Sequence, residues 1–172
     1  MSTGEIAFTA LLHGLAMSVA LATVIGATLR WNAEMWLGDY PPDIREAFGP
    51  MSRTARRQRA VTGVLLGVVL LGALGLGLVW LHRADASPEF FDVALYVFVL
   101  LTTFNLFDLL VLDWLWFVRL RPSFIVLPGT EGMAGYDDDG FHFRAFLTGI
   151  AGSIALALLI ASGAAALRWL GS

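Results

Sequence analysis

Apolar residues are gathered into four long stretches, and most polar residues lie between them. The stretches cover about residues 6–29, 61–81, 91–112 and 146–170. A helix of roughly 20 apolar residues crosses the hydrocarbon layer of a bilayer, which is about 30 Å thick. The pattern therefore predicts an all-α, polytopic membrane protein. We expect a single domain, residues 1–172, whose four transmembrane helices form two hairpins.

Arginine is unevenly distributed between the two sides of these spans. Nine of the 11 arginines lie in or next to the two long connections, about residues 30–60 and 119–143. Basic residues accumulate in cytoplasmic loops, so both connections are predicted to be cytoplasmic and both termini outside. Tryptophans fall near the span ends, as in an aromatic belt, at positions 31, 36, 80, 114, 116 and 169. This topology predicts a protein of the bacterial inner (plasma) membrane.

Composition supports this class and excludes others. Hydrophobic residues make up 58% of the chain, charged residues 15%, and the mean hydropathy is +0.74. A net charge of −3 gives no basic surface for nucleic acid, and the absence of cysteine excludes disulfides and cysteine-bound metals. His13 and His142 fall near opposite membrane faces, so they cannot ligate one haem. No cofactor is firmly implied.

Small residues recur at every fourth position in three spans. The first has Gly14, Ser18, Ala22 and Gly26, the second has Gly63 and Gly67, and the fourth has the series Ala145, Gly149, Ser153, Ala157, Ala161 and Ala165. Small residues at this spacing let helix backbones approach closely in lipid. They predict either tight packing within the chain or the seam of a homo-oligomer or larger membrane complex.

The third span carries most of the polar residues that lie within the membrane. At 100° per residue, Thr102, Asn105, Asp108 and Asp113 fall on one face. An acidic side chain at a helix centre costs roughly 2.5–3.5 kcal/mol to insert and needs a partner. One interpretation is a polar site, open to the cytoplasm, for an ion, a proton or a headgroup. The other is a structural network in which Asp108 bonds a neighbour and Asp113 lies among the headgroups.

The first cytoplasmic loop combines turn residues with a basic cluster. Asp39, Tyr40 and Asp43 belong to a turn that leads into a short helix starting near Pro42. Nearer the second span lie Arg53, Arg56, Arg57 and Arg59. Such a cluster predicts binding of anionic lipid headgroups at the cytoplasmic face of the bilayer.

The second loop is acidic. Its potential metal ligands are Glu131, Asp137, Asp138, Asp139 and His142. An EF-hand fails, because Gly135 and Phe146 occupy positions that would need acids. Two interpretations stay open: an oxygen-rich site for a divalent cation, or acids that cap the next helix.

Two motifs carry a resemblance to a known family. The chain contains Asp39-Tyr40-Pro41-x-x-Ile44 in the first loop and Asn105-x-x-Asp108-x-x-x-x-Asp113-Trp114 in the third span. It resembles a family of small four-helix bacterial integral membrane proteins that has no assigned activity, although Ala33 stands where that family's loop has proline. The resemblance implies the architecture and highlights the motif residues.

Two classes of function follow from these patterns. The first is a non-enzymatic transport or accessory component with a polar site at its cytoplasmic mouth. The candidate residues of that site are Asn105, Asp108, Asp113, Asp39, Tyr40 and Asp43. The alternative is a membrane-embedded, divalent-metal enzyme that acts on a lipid or isoprenoid phosphate headgroup. Asp108, Asp113 and the loop acids at positions 137–139 would hold the metal. The arginines at positions 56, 57 and 59 would bind the phosphate.

Overall fold

The computed structural model describes residues 1–85 and 87–171, and within these ranges the chain is helical. Two short 3₁₀ helices cover Ala33–Asp39 and Ala134–Asp137. The longer elements are α1 (Thr3–Trp31), α2 (Pro42–Phe48), α3 (Arg53–Ala84), α4 (Phe90–Phe107, continued by a π-helix over Asp108–Leu120) and α5 (Asp139–Gly171). Four of these, counting α4 with its extension as one, are long and apolar enough to cross a membrane. The predicted all-α fold with four spans is confirmed.

The helices begin at capping residues and are longer than the predicted spans. The Ser2 hydroxyl caps α1, and Ser52 accepts a hydrogen bond from the Ala55 N–H at the start of α3. Asp138 accepts one from the Phe141 N–H at the start of α5. Such oxygens satisfy the free N–H groups of a first helical turn. The arginine cluster that begins at Arg53 is therefore helical, and the two connections shorten to residues 32–52 and 121–138.

The four long helices are arranged in the order α3, α1, α4, α5, with α1 and α4 in the centre. α1 and α4 approach closely at Gly14, where an added Cβ would lie 2.9 Å from the Leu100 carbonyl oxygen. The α5 stripe also packs within the chain, because Ser153, Ala157 and Ala161 are buried. At Gly63 and Gly67 of α3, by contrast, an added Cβ would meet no atom of residues 1–85 and 87–171 within 4 Å.

The two connections pack together at one end of the molecule, which we call the loop side. Their apolar residues form a small core with the end of the π-helix: Leu37, Tyr40, Ile44, Phe117, Val118, Ile125, Leu127 and Tyr136. The Tyr40 hydroxyl donates to the Ile125 carbonyl at 2.7 Å, and the Gly135 N–H donates to Asp43 at 2.9 Å. We call this unit the loop cap. The opposite end, with both termini, is the terminal side.

The π-helix changes which residues share a face. It ends at Arg121, whose backbone is left-handed (φ 40°) and whose N–H donates to the Trp116 carbonyl at 2.8 Å. In a π-helix each hydrogen bond spans five residues rather than four. Residues five apart are therefore nearly one turn apart, which aligns Asp108 with Asp113.

Candidate functional site

A cavity of about 470 Å³ lies on the loop side, between the membrane helices and the loop cap. Its walls come from α1, α3, α4, the π-helix, the first 3₁₀ helix and the start of α5. The polar lining consists of Asp39, Tyr40, Asp108, Asp113 and His142, and the aromatic lining includes Trp36, Phe104, Phe117 and Phe141. The volume falls within the range of small-molecule sites, about 300–1,000 Å³.

Asp39 and Tyr40 form the rim of the cavity nearest the cap. The Asp39 carboxylate pairs with Arg59 at 2.8 Å, and the same guanidinium nitrogen donates to the Met35 carbonyl at 3.0 Å. Tyr40 is 2% exposed, and its ring packs edge-on against Phe117. Burial, followed by the nearby Tyr136 and Asp39, raises the pKa of Tyr40 well above its ordinary value. The Tyr40 phenol therefore stays protonated and serves as a fixed donor to the cap.

Asp113 and His142 form a second pair, deeper in the cavity. The His142 Nδ1 lies 3.0 Å from an Asp113 carboxylate oxygen. An ionised carboxylate only accepts hydrogen bonds, so Nδ1 carries the proton in this pair. The other ring nitrogen, Nε2, is buried and has no partner among residues 1–85 and 87–171. His142 is 3% exposed, so this nitrogen is available only to something inside the cavity.

Asp108 differs from the other two carboxylates. It interacts electrostatically with Asp113, His142 and Asp39. Within the described part of the chain, however, it has no hydrogen bond and no ion pair to an arginine. Asp39 is neutralised by Arg59, and Asp113 is held by His142. Of the three cavity acids, Asp108 is therefore the one without a direct partner among the described residues, and it lies next to apolar walls.

The polar residues of the third span do not form one site. Asn105 donates to the Ser153 hydroxyl at 2.8 Å and lies against Gly149, so it belongs to the α4–α5 contact. The Thr102 hydroxyl is buried elsewhere, against α1. Only Asp108 and Asp113 of the predicted face line the cavity. Asp43 lies outside it as well, in the contact that joins the two connections.

The proposed metal ligands are spread over the second connection. Asp137 pairs with Arg121, Asp139 with Arg119 and Asp138 with Arg144, while Glu131 accepts from the Gly129 N–H. Across the described ranges, no group of three or more His, Cys, Asp and Glu side chains has the arrangement of a metal site. His142 does not join this group of acids, because its hydrogen-bonding partner is Asp113.

The four arginines of the cluster also do not act together. Arg59 turns toward the cavity rim and pairs with Asp39, whereas Arg53, Arg56 and Arg57 are exposed on the first two turns of α3. Sequence reasoning missed the pairing of Asp113 with His142 because 29 residues separate them. It missed the aromatic walls because Phe104 reads as an ordinary span residue and Phe117 lies beyond the predicted end of that span.

Comparison with known proteins adds no further assignment. No protein-family model, no curated protein and no solved structure matches this chain.

Proposed function

We propose that the protein is a non-enzymatic component of the bacterial inner membrane that binds a cationic group in its loop-side cavity. In this proposal the loop side faces the cytoplasm and both termini face outward. The distribution of arginines supports that orientation, because nine of the 11 lie in or next to the two connections of the loop side.

The observation that carries the proposal is the unpaired Asp108. A carboxylate within the depth of a membrane is costly unless a charge or a donor compensates it. Arg59 and His142 pair directly with Asp39 and Asp113, whereas the described residues give Asp108 no hydrogen bond and no ion pair, only a longer-range interaction with His142. A bound cation at Asp108 would complete the charge balance of the cavity.

The surroundings favour an ammonium group over a divalent metal. Divalent metals require several oxygen or nitrogen ligands in a tight arrangement, and two of the three cavity carboxylates are already held by other side chains. The walls contribute Trp36, Phe104 and Phe117, and aromatic faces attract organic cations as well as hydrocarbon. The paired carboxylates and the aromatic walls also weigh against the second candidate function, a metal-dependent enzyme.

Apolar packing between the cavity and the terminal side favours an accessory role over a monomeric pore. On the terminal side, α1 and α4 are joined by buried residues such as Met17, Leu21, Val97 and Leu100. A permeant ion needs a continuous polar path. We therefore propose that the cavity exchanges its cationic group with the cytoplasm on one side and with a membrane partner on the other.

The test is ligand binding by the purified full-length protein in mild detergent. We expect propylammonium to bind saturably, as measured by isothermal titration calorimetry, and Asp108→Asn to weaken it at least tenfold. Glu46→Gln is the matched control, since Glu46 is exposed on α2 and its substitution removes the same charge from the loop side. Equal affinity in Asp108→Asn and Glu46→Gln, or no saturable binding of propylammonium, sodium or magnesium to the natural chain, contradicts the proposal.

A further inference from the structure

His142 brings to the loop-side cavity a buried nitrogen that the pairing with Asp113 does not use. The side chain is 3% exposed, and its Nε2 has no hydrogen-bonding partner in the described part of the chain. Buried polar atoms in folded proteins are nearly always hydrogen-bonded, to protein or to another molecule. The partner of Nε2 must therefore come from outside these residues.

The neighbours of the His142 ring place it in the wall of the cavity. Its Nδ1 lies 3.0 Å from an Asp113 carboxylate oxygen. The ring meets Phe117 with centroids 4.8 Å apart and Phe141 with centroids 5.2 Å apart, in both cases edge-on. All three neighbours line the same cavity as His142 itself. A molecule inside the cavity is therefore the partner that can reach Nε2.

The hydrogen bond to Asp113 decides what Nε2 can recognise. Because Nδ1 carries the proton, Nε2 of the neutral ring is an acceptor. A cation beside Asp108 keeps the ring neutral, since two positive charges close together in an apolar cavity repel each other strongly. With a cation bound, Nε2 therefore requires a hydrogen-bond donor.

Asp108 and His142 consequently present two acceptors to one occupant. Asp108, the cavity acid without a direct partner among the described residues, is close enough to His142 for the two side chains to interact electrostatically. A protonated amine donates a hydrogen bond through each of its N–H groups, as the ammonium group of lysine does. An ammonium ion with two or more N–H groups can therefore satisfy both acceptors at once.

We propose that the occupant of the loop-side cavity is a primary or secondary amine, bound as its ammonium ion by Asp108 and by Nε2 of His142. This inference rests on the proposed cation binding and adds to it the number of N–H donors. The carbon atoms of the amine lie against the aromatic wall, which consists of Trp36, Phe104, Phe117 and Phe141. Tertiary and quaternary ammonium ions leave one or both acceptors without a donor.

The test compares four ligands that differ only in N-methylation, by isothermal titration calorimetry of the full-length protein in a non-ionic detergent. Propylammonium and N-methylpropylammonium should bind with nearly equal affinity, because each has at least two N–H groups. N,N-dimethylpropylammonium should bind about tenfold more weakly, which corresponds to about 1.4 kcal/mol for one lost hydrogen bond. Propyltrimethylammonium should bind more weakly still. A similar loss at every added methyl group indicates steric exclusion and overturns the proposal.

His142→Asn isolates the Nε2 acceptor, because the asparagine amide can still donate to Asp113. With Asp108 as the remaining acceptor, one N–H group is sufficient, so the tenfold drop should move from the second methyl group to the third. His82→Asn is the matched control, since His82 is exposed near the far end of α3 and should keep the natural pattern. A drop that stays at the second methyl group in His142→Asn overturns the proposal. If His142→Asn does not fold, the series on the natural chain still tests it.

The outcomes also separate this inference from the proposed function. Equal affinity for all four ligands, abolished by Asp108→Asn, overturns the two-acceptor site and leaves cation binding in place. Absence of saturable binding by propylammonium, sodium and magnesium contradicts cation binding itself. Where the drop at the second methyl group is observed, nanodiscs containing phosphatidylethanolamine identify the source of the amine. Competition with propylammonium indicates a lipid headgroup, and unchanged affinity indicates a soluble amine.

Discussion

The close approach of α1 and α4 at Gly14 gives a quantitative prediction for Gly14→Ala. The new methyl carbon would lie 2.7 Å from the Thr103 Cβ and 2.9 Å from the Leu100 carbonyl oxygen. Carbon atoms in favourable contact are about 3.5–4.0 Å apart, so the two helices must separate by about 1 Å. Overpacking of this kind costs about 1–3 kcal/mol. Replacing glycine by alanine in a helix recovers up to about 1 kcal/mol.

Gly67→Ala is the control that isolates the packing cost. In the part of the chain that the structure describes, an added Cβ at Gly67 meets nothing within 4 Å, and the gain in helix propensity is the same as at Gly14. The difference in unfolding free energy between the two variants should therefore be about 1–3 kcal/mol, with Gly14→Ala the less stable. Reversible unfolding by sodium dodecyl sulfate in mixed micelles, followed by circular dichroism, measures it. Equal stability of the two variants would refute the close contact, and destabilisation by Gly67→Ala would show that another surface covers α3.

The remaining predictions concern the loop cap. Asp43→Ala leaves the Gly135 N–H without its acceptor at 2.9 Å, which should lower the free energy of unfolding by about 1–3 kcal/mol. Hydrogen exchange in residues 121–138 should become faster. Exchange as slow as in the natural chain would contradict this prediction. The raised pKa of Tyr40 means that its contribution to stability is complete below pH 10.0 and is lost as the pH rises above that value. Near-ultraviolet circular dichroism should show the cap loosening there, and a Tyr40→Phe variant without the steep dependence on pH would confirm the cause.

Hydropathy and the spacing of small residues were sufficient to predict the membrane part of the fold. The four spans depend on composition averaged over about 20 residues, which is insensitive to local detail. The stripes containing Gly14 and Ser153 mark the contacts of α1 and α5 with α4. The glycines at positions 63 and 67 have the same spacing, but an added Cβ there meets nothing within 4 Å among the described residues. A sequence pattern shows that a close approach is allowed, not that it occurs.

The candidate site was only partly predictable, for two physical reasons. The polar face of the third span was derived with the α-helical period, and the π-helix from Asp108 onward changes that period. This change brings Asp108 and Asp113 into the cavity, while Asn105, still in the α-helical part, faces α5. The second reason is distance along the chain. The Asp113–His142 pair and the Tyr40–Ile125 hydrogen bond join residues that no local pattern connects.

The loop cap also has a consequence for the order of events during synthesis. Asp43 and Gly135 are 92 residues apart in the chain, and three of the four spans lie before Gly135. The first connection therefore waits, without its partner, while α3 and α4 are made and inserted. Contacts between distant residues form late because the intervening chain must be in place first. The loop-side cavity is closed by the loop cap only when insertion is nearly complete, so a truncated or half-inserted chain lacks this cavity.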